Sequence, residues 1–377
     1  MLLTALALAI QTGSANGIDA AVQRGIAEGV FPGAVVVVGT GSRILHARGY
    51  GRYAWSAESR VPDPDRSLFD LASLTKVVAT TAAVMLLVQD GEIHLDSPVQ
   101  DYLPEFVGIG KGEVTVRQLL EHRSGLRAFL PLNELATTAG EARRLVLDEP
   151  LRFAPGERVV YSDLNAMLLG WVVEAVSGTG LDDFVEGRVY PRLGMASTQF
   201  RPPASLREAI VPVGLWRGHV IAGELHDQNA ARLGGVAGHA GLYSTGQDLA
   251  RYAQSLLNAA AGAEGDFLFR QGVVRHFTRR GPGNRALGWE MRDTTSTDNA
   301  GSLMTPLAYG HTGYTGTSMW IDPERGLFVI VLTNRVFAPR TRNSITKLKR
   351  IRGEVADAAV RLWVAGRSSR DAATGPC

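Results

Sequence analysis

The chain has 377 residues, 45% hydrophobic and 20% charged, with a formal net charge of +2. That balance belongs to a globular protein with a large core and leaves no surplus of positive charge for nucleic acid or an anionic membrane. Cys377, the last residue, is the only cysteine, which excludes an internal disulfide and a catalytic thiol in a folded setting.

Leu2 to Ile10 is an apolar run, followed by the small and polar stretch Gln11 to Gly17. This order matches a secretory signal without the usual basic start, so residues 1–17 are expected to direct export to the periplasm or beyond. No other run reads as long and apolar enough to cross a bilayer, so no stable membrane span is expected. Ala15 to Gly29 reads as a helix, because Ile18, Val22 and Ile26 recur every four residues and Gly29 stops it. Strands follow at Gly33 to Val38 and Arg43 to Tyr53, divided by a turn at Gly39 to Ser42. From Ser73 to about Gly281 the pattern is one of helices and long loops. Strands return at Tyr309 to Ile321 and Leu327 to Thr333 around the turn Asp322 to Gly326. A helix over about Ser344 to Val364 closes the chain, and its cluster Lys347, Lys349, Arg350 and Arg352 reads as a solvated face. The expected fold class is α+β: an antiparallel sheet built from both chain ends and flanked by helices, with an all-α domain inserted. The expected boundaries are 18–75 with 282–366 for the sheet-containing domain, 76–281 for the helical one, and a tail over 367–377.

Three places carry chemistry. In Ser73 to Gly91 the run after Lys76 is uncharged up to Val88 and apolar nearly all round, so this helix should be buried. A lysine in a buried helix is costly unless paired or neutral, and Ser73 stands three residues earlier on the same face. Ser73 also lies at the helix N-terminus, where free N–H groups favour negative charge. These are the requirements of an acylating serine; a plain N-cap with Lys76 reaching out to water is the alternative. Tyr161-Ser162-Asp163 precedes the helix Leu164 to Ser177 and can point a phenol into a cleft as a proton shuttle, while Asp163 reads equally well as that helix's N-cap. Gly310 to Gly316 (GHTGYTG) lies in a strand pattern, where glycines point to a close approach, and an edge strand there would align an extended substrate.

SLTK, YSD and HTG, in this order and at these separations, resemble the serine β-lactamase and penicillin-binding-protein superfamily, in particular its class C, DD-peptidase and esterase branch. The flanks FDLASLTK, TVRQLLEHRSGL, FAPGERVVYSDLNAMLLG, GGVAGHAGLYST and GHTGYTGTSMWIDPERG look like that branch, and the likeness runs from about Ile18 to Arg335. The resemblance implies that Ser73 is the acylated nucleophile, Lys76 its activating base and Tyr161 a partner in acylation and deacylation. It also implies that the Ser73 and Tyr314 N–H groups form the oxyanion hole, that His311, Thr312, Gly313 and Asp163 bind substrate, and that the site lies between sheet and helical domains. Asp163 replaces the family's usual asparagine and favours a charged Lys76, which shifts the role of base toward Tyr161. His311 replaces the usual lysine and carries charge only below about pH 6.5, which argues against strong β-lactamase activity.

His226, Asp227 and His239 fit no compact metal-ligand spacing and read as loop residues, and His122 as one that fixes a loop by hydrogen bonds. The function expected is acyl transfer to water through a seryl intermediate, without cofactor, on a D-alanyl peptide of the peptidoglycan type or on an ester. A slowly deacylating penicillin-binding sensor or wall-binding module, and a true class C-like β-lactamase, are the alternatives.

Overall fold

The computed structural model describes residues 17–216, 219–338 and 344–373. The apolar run at Leu2 to Ile10 and Cys377 lie outside these residues. Residues 17–27 are helical. The strand Gly33–Thr40 follows, and its neighbour Ile44–Gly51 turns back along it. Its other neighbour is Leu327–Thr333, with Val36 opposite Val331. Ser318–Asp322, Tyr309–Thr312 and the short Glu290–Met291 complete a six-stranded antiparallel sheet drawn from both ends of the chain.

Alternation sorts the central strand between two cores. Ala34, Val36 and Val38 pack with Ile18, Val22, Leu348, Ile351 and Val355 from the first and last helices. Val35 and Val37 face Leu249 and Ala253 of the helix Gly246–Ala261, and beyond it the helical half of the molecule. Because both faces are covered, Gly33–Thr40 is buried over seven of its eight residues, which explains its unbroken apolar run.

Several expectations need correction. The segment Tyr309 to Ile321 is two strands, Tyr309–Thr312 and Ser318–Asp322, because Gly313 N–H closes a turn onto Thr317 O (2.7 Å) and Gly316 takes φ +116°. β-Branched residues on both sides hide that turn from the sequence. The last helix runs Ile345–Ala373, so much of the expected tail is helical; no proline interrupts it before Pro376. Short strands also occur inside the region read as helical, where Gln199–Phe200 pairs with Leu242–Ser244, which in turn pairs with Phe69–Asp70 just before that region.

The helix after Ser73 is continuous from Ala72 to Gln89 but changes pitch: a 3₁₀ turn (Ala72–Leu74), a π turn (Lys76–Thr80) and an α-helix (Thr81–Gln89). With mean hydropathy 1.5 over 18 residues it is long and apolar enough to cross a membrane, contrary to expectation. It is 83% buried inside the fold, against the helix Asp163–Ser177 among others, and this accounts for its apolarity as that of a core helix.

Candidate active site

Ala72, the residue before Ser73, adopts φ +47°, a left-handed conformation strained for a residue with a Cβ. This bend and the π turn behind it bring Lys76 beneath Ser73. Its Nζ donates to Ser73 Oγ at 3.1 Å and to the His239 carbonyl at 3.1 Å, and pairs with Asp163 Oδ1 at 2.7 Å. Burial pulls the Lys76 pKa down, but the Asp163 carboxylate and the Tyr161 phenol outweigh it and hold the lysine above its ordinary value. Lys76 is therefore an ammonium that donates to the serine oxygen.

Ser162, and not Asp163, is the N-cap of the helix Asp163–Ser177, and its hydroxyl donates to Arg127 O at 2.6 Å. Asp163 occupies the first helical position, where the dipole favours a carboxylate, and its side chain faces Lys76. Tyr161 is held by rings on two sides, His122 at 4.7 Å and His311 at 5.8 Å between centroids. His122 Nδ1 accepts from Ser162 N–H at 3.1 Å, and the His122 carbonyl accepts from Val160 N–H at 2.8 Å, so this histidine fixes the loop that carries Tyr161. Lys76 Nζ and the Arg285 guanidinium each lie 5.1 Å from the Tyr161 ring centroid.

Across the cleft, Tyr309 and Gly310 pair with Met291 and Glu290, so the strand is not an edge there as expected; His311 and Thr312 extend beyond that partner. The glycines answer to packing of the protein on itself. A Cβ on Gly313 would collide with Thr317 Oγ1 and the Leu71 carbonyl, beside the serine turn. Tyr314 follows in the turn, 61% exposed, and its N–H makes no main-chain hydrogen bond among the described residues. His311 Nδ1–H donates to Thr312 O at 2.9 Å, which leaves buried Nε2 as an acceptor without a partner among the described residues. Burial, reinforced by Lys76 and Arg285, holds His311 well below the usual histidine range, so the ring is neutral.

Ser73, Tyr161, His311, Thr312, Gly313 and Tyr314 thus line one cleft of about 290 Å³. Lys76 sits beneath Ser73, and Asp163 pairs with Lys76. The same cleft is lined by Arg285 and Glu290, which carry no signal in the sequence, and by Lys349 and Arg352, which the sequence places on a solvated helix face. Arg285 Nη1 is buried without a hydrogen-bond partner among the described residues. Burial holds Glu290 above the ordinary carboxyl range, against the pull of Arg285, Arg352 and Lys349. The reading of the last helix as a solvated face holds for Lys347 and Arg350, which pair with Glu28, but not for Arg352. Arg352 is 2% exposed and donates to Thr317 O (2.7 Å) and Gly313 O (3.2 Å), while burial pulls its pKa down to about 9. The signal was present in the sequence, since Leu348, Ile351 and Val355 define the buried stripe on which Arg352 borders. His239 Nε2 pairs with Asp227 at 3.3 Å, one shell behind Lys76.

A family model described as Beta-lactamase matches residues 18–353. Among known proteins, a provisionally named D-alanyl-D-alanine carboxypeptidase of Escherichia coli K12 is 31% identical over 347 residues, which is 82% of this chain and 80% of that protein. A counterpart of the same provisional name in Salmonella typhimurium LT2 is 32% identical over 306 residues, covering 72% and 70%. Among solved structures, EstCE1, a hydrolase with promiscuous acyltransferase activity, superposes with TM-score 0.73 at 22% identity over 92% of this chain and 99% of its own. A class C β-lactamase superposes with TM-score 0.72 at 20% identity over 90% and 96%; these two likenesses concern the fold.

Proposed function

The chain belongs to the Beta-lactamase family of serine hydrolases, and from that premise we propose that it is a carboxypeptidase acting on D-alanyl peptides through a seryl acyl-enzyme. Ser73 attacks the peptide carbonyl. Lys76, kept charged by Asp163, donates to Ser73 Oγ and stabilises the developing alkoxide, while Tyr161, acting in its phenolate form, takes the serine proton to become the phenol and then hands that proton to the leaving amine. The two cations facing the Tyr161 ring stabilise negative charge on its oxygen during that transfer. The N–H groups of Ser73 and Tyr314 receive the oxyanion, and water then releases the acyl group. The open margin of His311 and Thr312, beyond the end of the neighbouring strand, suits an extended peptide.

The observation that carries the carboxypeptidase reading is Arg285 Nη1, buried and without a hydrogen-bond partner among the described residues, in the cleft that also holds Ser73 and Lys349. His311 is neutral and cannot hold a substrate carboxylate, so Arg285 and Lys349 supply that charge. The provisional names of the relatives agree, and the export expected from Leu2 to Ile10 suits a wall peptide. Ester hydrolysis is the second reading, favoured by the neutral His311, since an ester without a carboxylate needs no cation.

A peptide ending in D-Ala-D-Ala, a p-nitrophenyl ester and a fluorescent penicillin test the readings on wild type, Ser73→Ala and Arg285→Gln. D-Alanine release should fall at least ~10⁴-fold in Ser73→Ala. Arg285→Gln should raise KM for the peptide ~10-fold and leave the neutral ester nearly unaffected. Ester turnover without D-alanine release would replace the proposal by an esterase, a lasting penicillin adduct without turnover by a sensor, and rapid penicillin hydrolysis by a β-lactamase. Equal activity of Ser73→Ala and wild type would remove the nucleophile.

A further inference from the structure

Asp70 plays no part in the chemistry above, yet it touches three of the segments that build the site. It is 3% exposed, and no Lys or Arg side chain pairs with it among the described residues. Its Oδ1 accepts from the N–H of Ala72 at 2.9 Å, the strained residue immediately before Ser73. Its Oδ2 accepts from the N–H of His226 at 3.1 Å. Its main-chain carbonyl accepts from the Thr315 hydroxyl at 2.7 Å, and the next carbonyl, Leu71 O, accepts from Thr317 Oγ1 at 2.9 Å.

Each of these bonds leads to an oxyanion donor. Ala72 sets the direction of the Ser73 N–H. Thr315 and Thr317 lie after Tyr314 in the turn that Gly313 N–H and Thr317 O close, and the His226 ring packs on the Tyr314 ring at 5.3 Å between centroids. Arg335 fixes the other side of that peptide, with Nη2 and Nε donating to Tyr314 O at 2.6 and 3.1 Å. The position of Ser73 relative to Tyr314 therefore runs through Asp70, whose side chain holds Ala72 and His226 and whose main-chain carbonyl holds Thr315. A carboxylate suits it because both oxygens accept; an amide would accept one N–H and turn its own NH₂ against the other.

We propose that Asp70 is a positioning residue, a latch that holds Ala72 in its strained conformation and sets the Ser73 and Tyr314 N–H groups at the spacing that receives the oxyanion. This rests on the reading of Ser73 as nucleophile. An isolated αL alanine costs of the order of a few RT, and misplacement of a reacting group by about 1 Å costs ~10²-fold in rate. Glycine adopts positive φ without that strain, so Ala72→Gly should lessen the need for the latch.

The test is the pre-steady-state acylation rate with a p-nitrophenyl ester, measured on the full chain alongside circular dichroism and thermal melting. Asp70→Ala should slow acylation ~100-fold and Asp70→Asn ~10-fold, with ester binding changed less than ~3-fold. Adding Ala72→Gly to Asp70→Ala should recover ~10-fold, a rescue that a purely structural role would not give. Acylation at the wild-type rate in folded Asp70→Ala, or no recovery with glycine, overturns the proposal. Should Asp70→Ala fail to fold, Thr315→Val unties only the Asp70 carbonyl at nearly constant volume. A ~5-fold loss there supports the latch, and no loss overturns it. Ser73→Ala run in parallel keeps the two ideas apart: if it acylates normally the nucleophile reading fails, whereas a dead Ser73→Ala with an unimpaired Asp70→Ala removes only the latch.

Discussion

Lys76 and His311 stand in the two walls of one cleft, each 3% exposed, and they end in opposite charge states. Burial works against the cation at both. Lys76 has the Asp163 carboxylate at 2.7 Å and stays charged. His311 has Lys76 and Arg285 for neighbours and stays neutral, with only a carbonyl on Nδ1. Equal burial thus decides nothing by itself; the sign of the neighbours decides. The serine wall holds a fixed positive charge under the nucleophile, and the strand wall offers an uncharged acceptor.

The harshest way to break this comparison is Lys76→Ala, which leaves Asp163 facing the cleft without its cation. Removing one member of a buried pair costs about 3 kcal/mol, the low end because the Asp163 side chain keeps 20% exposure. Turnover should fall ~10³-fold or more, and denaturant unfolding beside ester hydrolysis reads both effects. A variant as stable as wild type would mean that the pair carries no net stabilisation.

Asp163→Asn is milder and separates charge from packing. Without the carboxylate, burial draws the Lys76 pKa down, and the alkaline limb of kcat/KM should move to lower pH. The linkage has a definite sign. A lysine raised in the folded state contributes stability that is complete below its ordinary value of 10.5 and is lost as pH rises through the folded value. The stability gap between wild type and Asp163→Asn should therefore be widest below about pH 10 and close above it. An alkaline limb that stays in place would detach the charge of Lys76 from Asp163.

His311→Gln sharpens the other side and should have the smallest effect. A neutral acceptor replaces a neutral acceptor, so kcat/KM should change less than ~5-fold with no limb lost near pH 6.5. Disappearance of such a limb would show that His311 titrates in the working range.

Much of the site is legible from local pattern. An uncharged helix with one lysine a turn after a serine is costly unless the two are used together, and the structure places them 3.1 Å apart. Asp163 was balanced between capping and pairing, because a carboxylate at a helix entry serves either, and only the position of Lys76 decides between them. Arg285 and Glu290 come from a loop and a two-residue strand with no periodicity, so nothing local announces that they meet Tyr161 or Gly310. Arg352 is hidden from the sequence because a run of basic residues on a helix reads as solvated unless the covering element, here the turn after His311, is known. The split of Tyr309 to Ile321 was hidden for the opposite reason: both halves look like strand, and the turn shows only in its backbone angles.

The central strand Gly33–Thr40 has a consequence for how the chain comes to be folded. One of its two neighbours, Leu327–Thr333, is made only after the whole helical half of the molecule. Until then a run of four valines waits with one side of its backbone unpaired, which is the condition for pairing with another chain instead. The membrane-grade helix Ala72–Gln89 waits in the same way for the helix Asp163–Ser177. Contacts of such long sequence separation fold slowly, and the unpaired edge and the apolar helix are exposed until their partners are made. A product truncated before Leu327 would lose a central strand of the sheet and, with the last helix, Lys349 and Arg352 from the lining of the cleft.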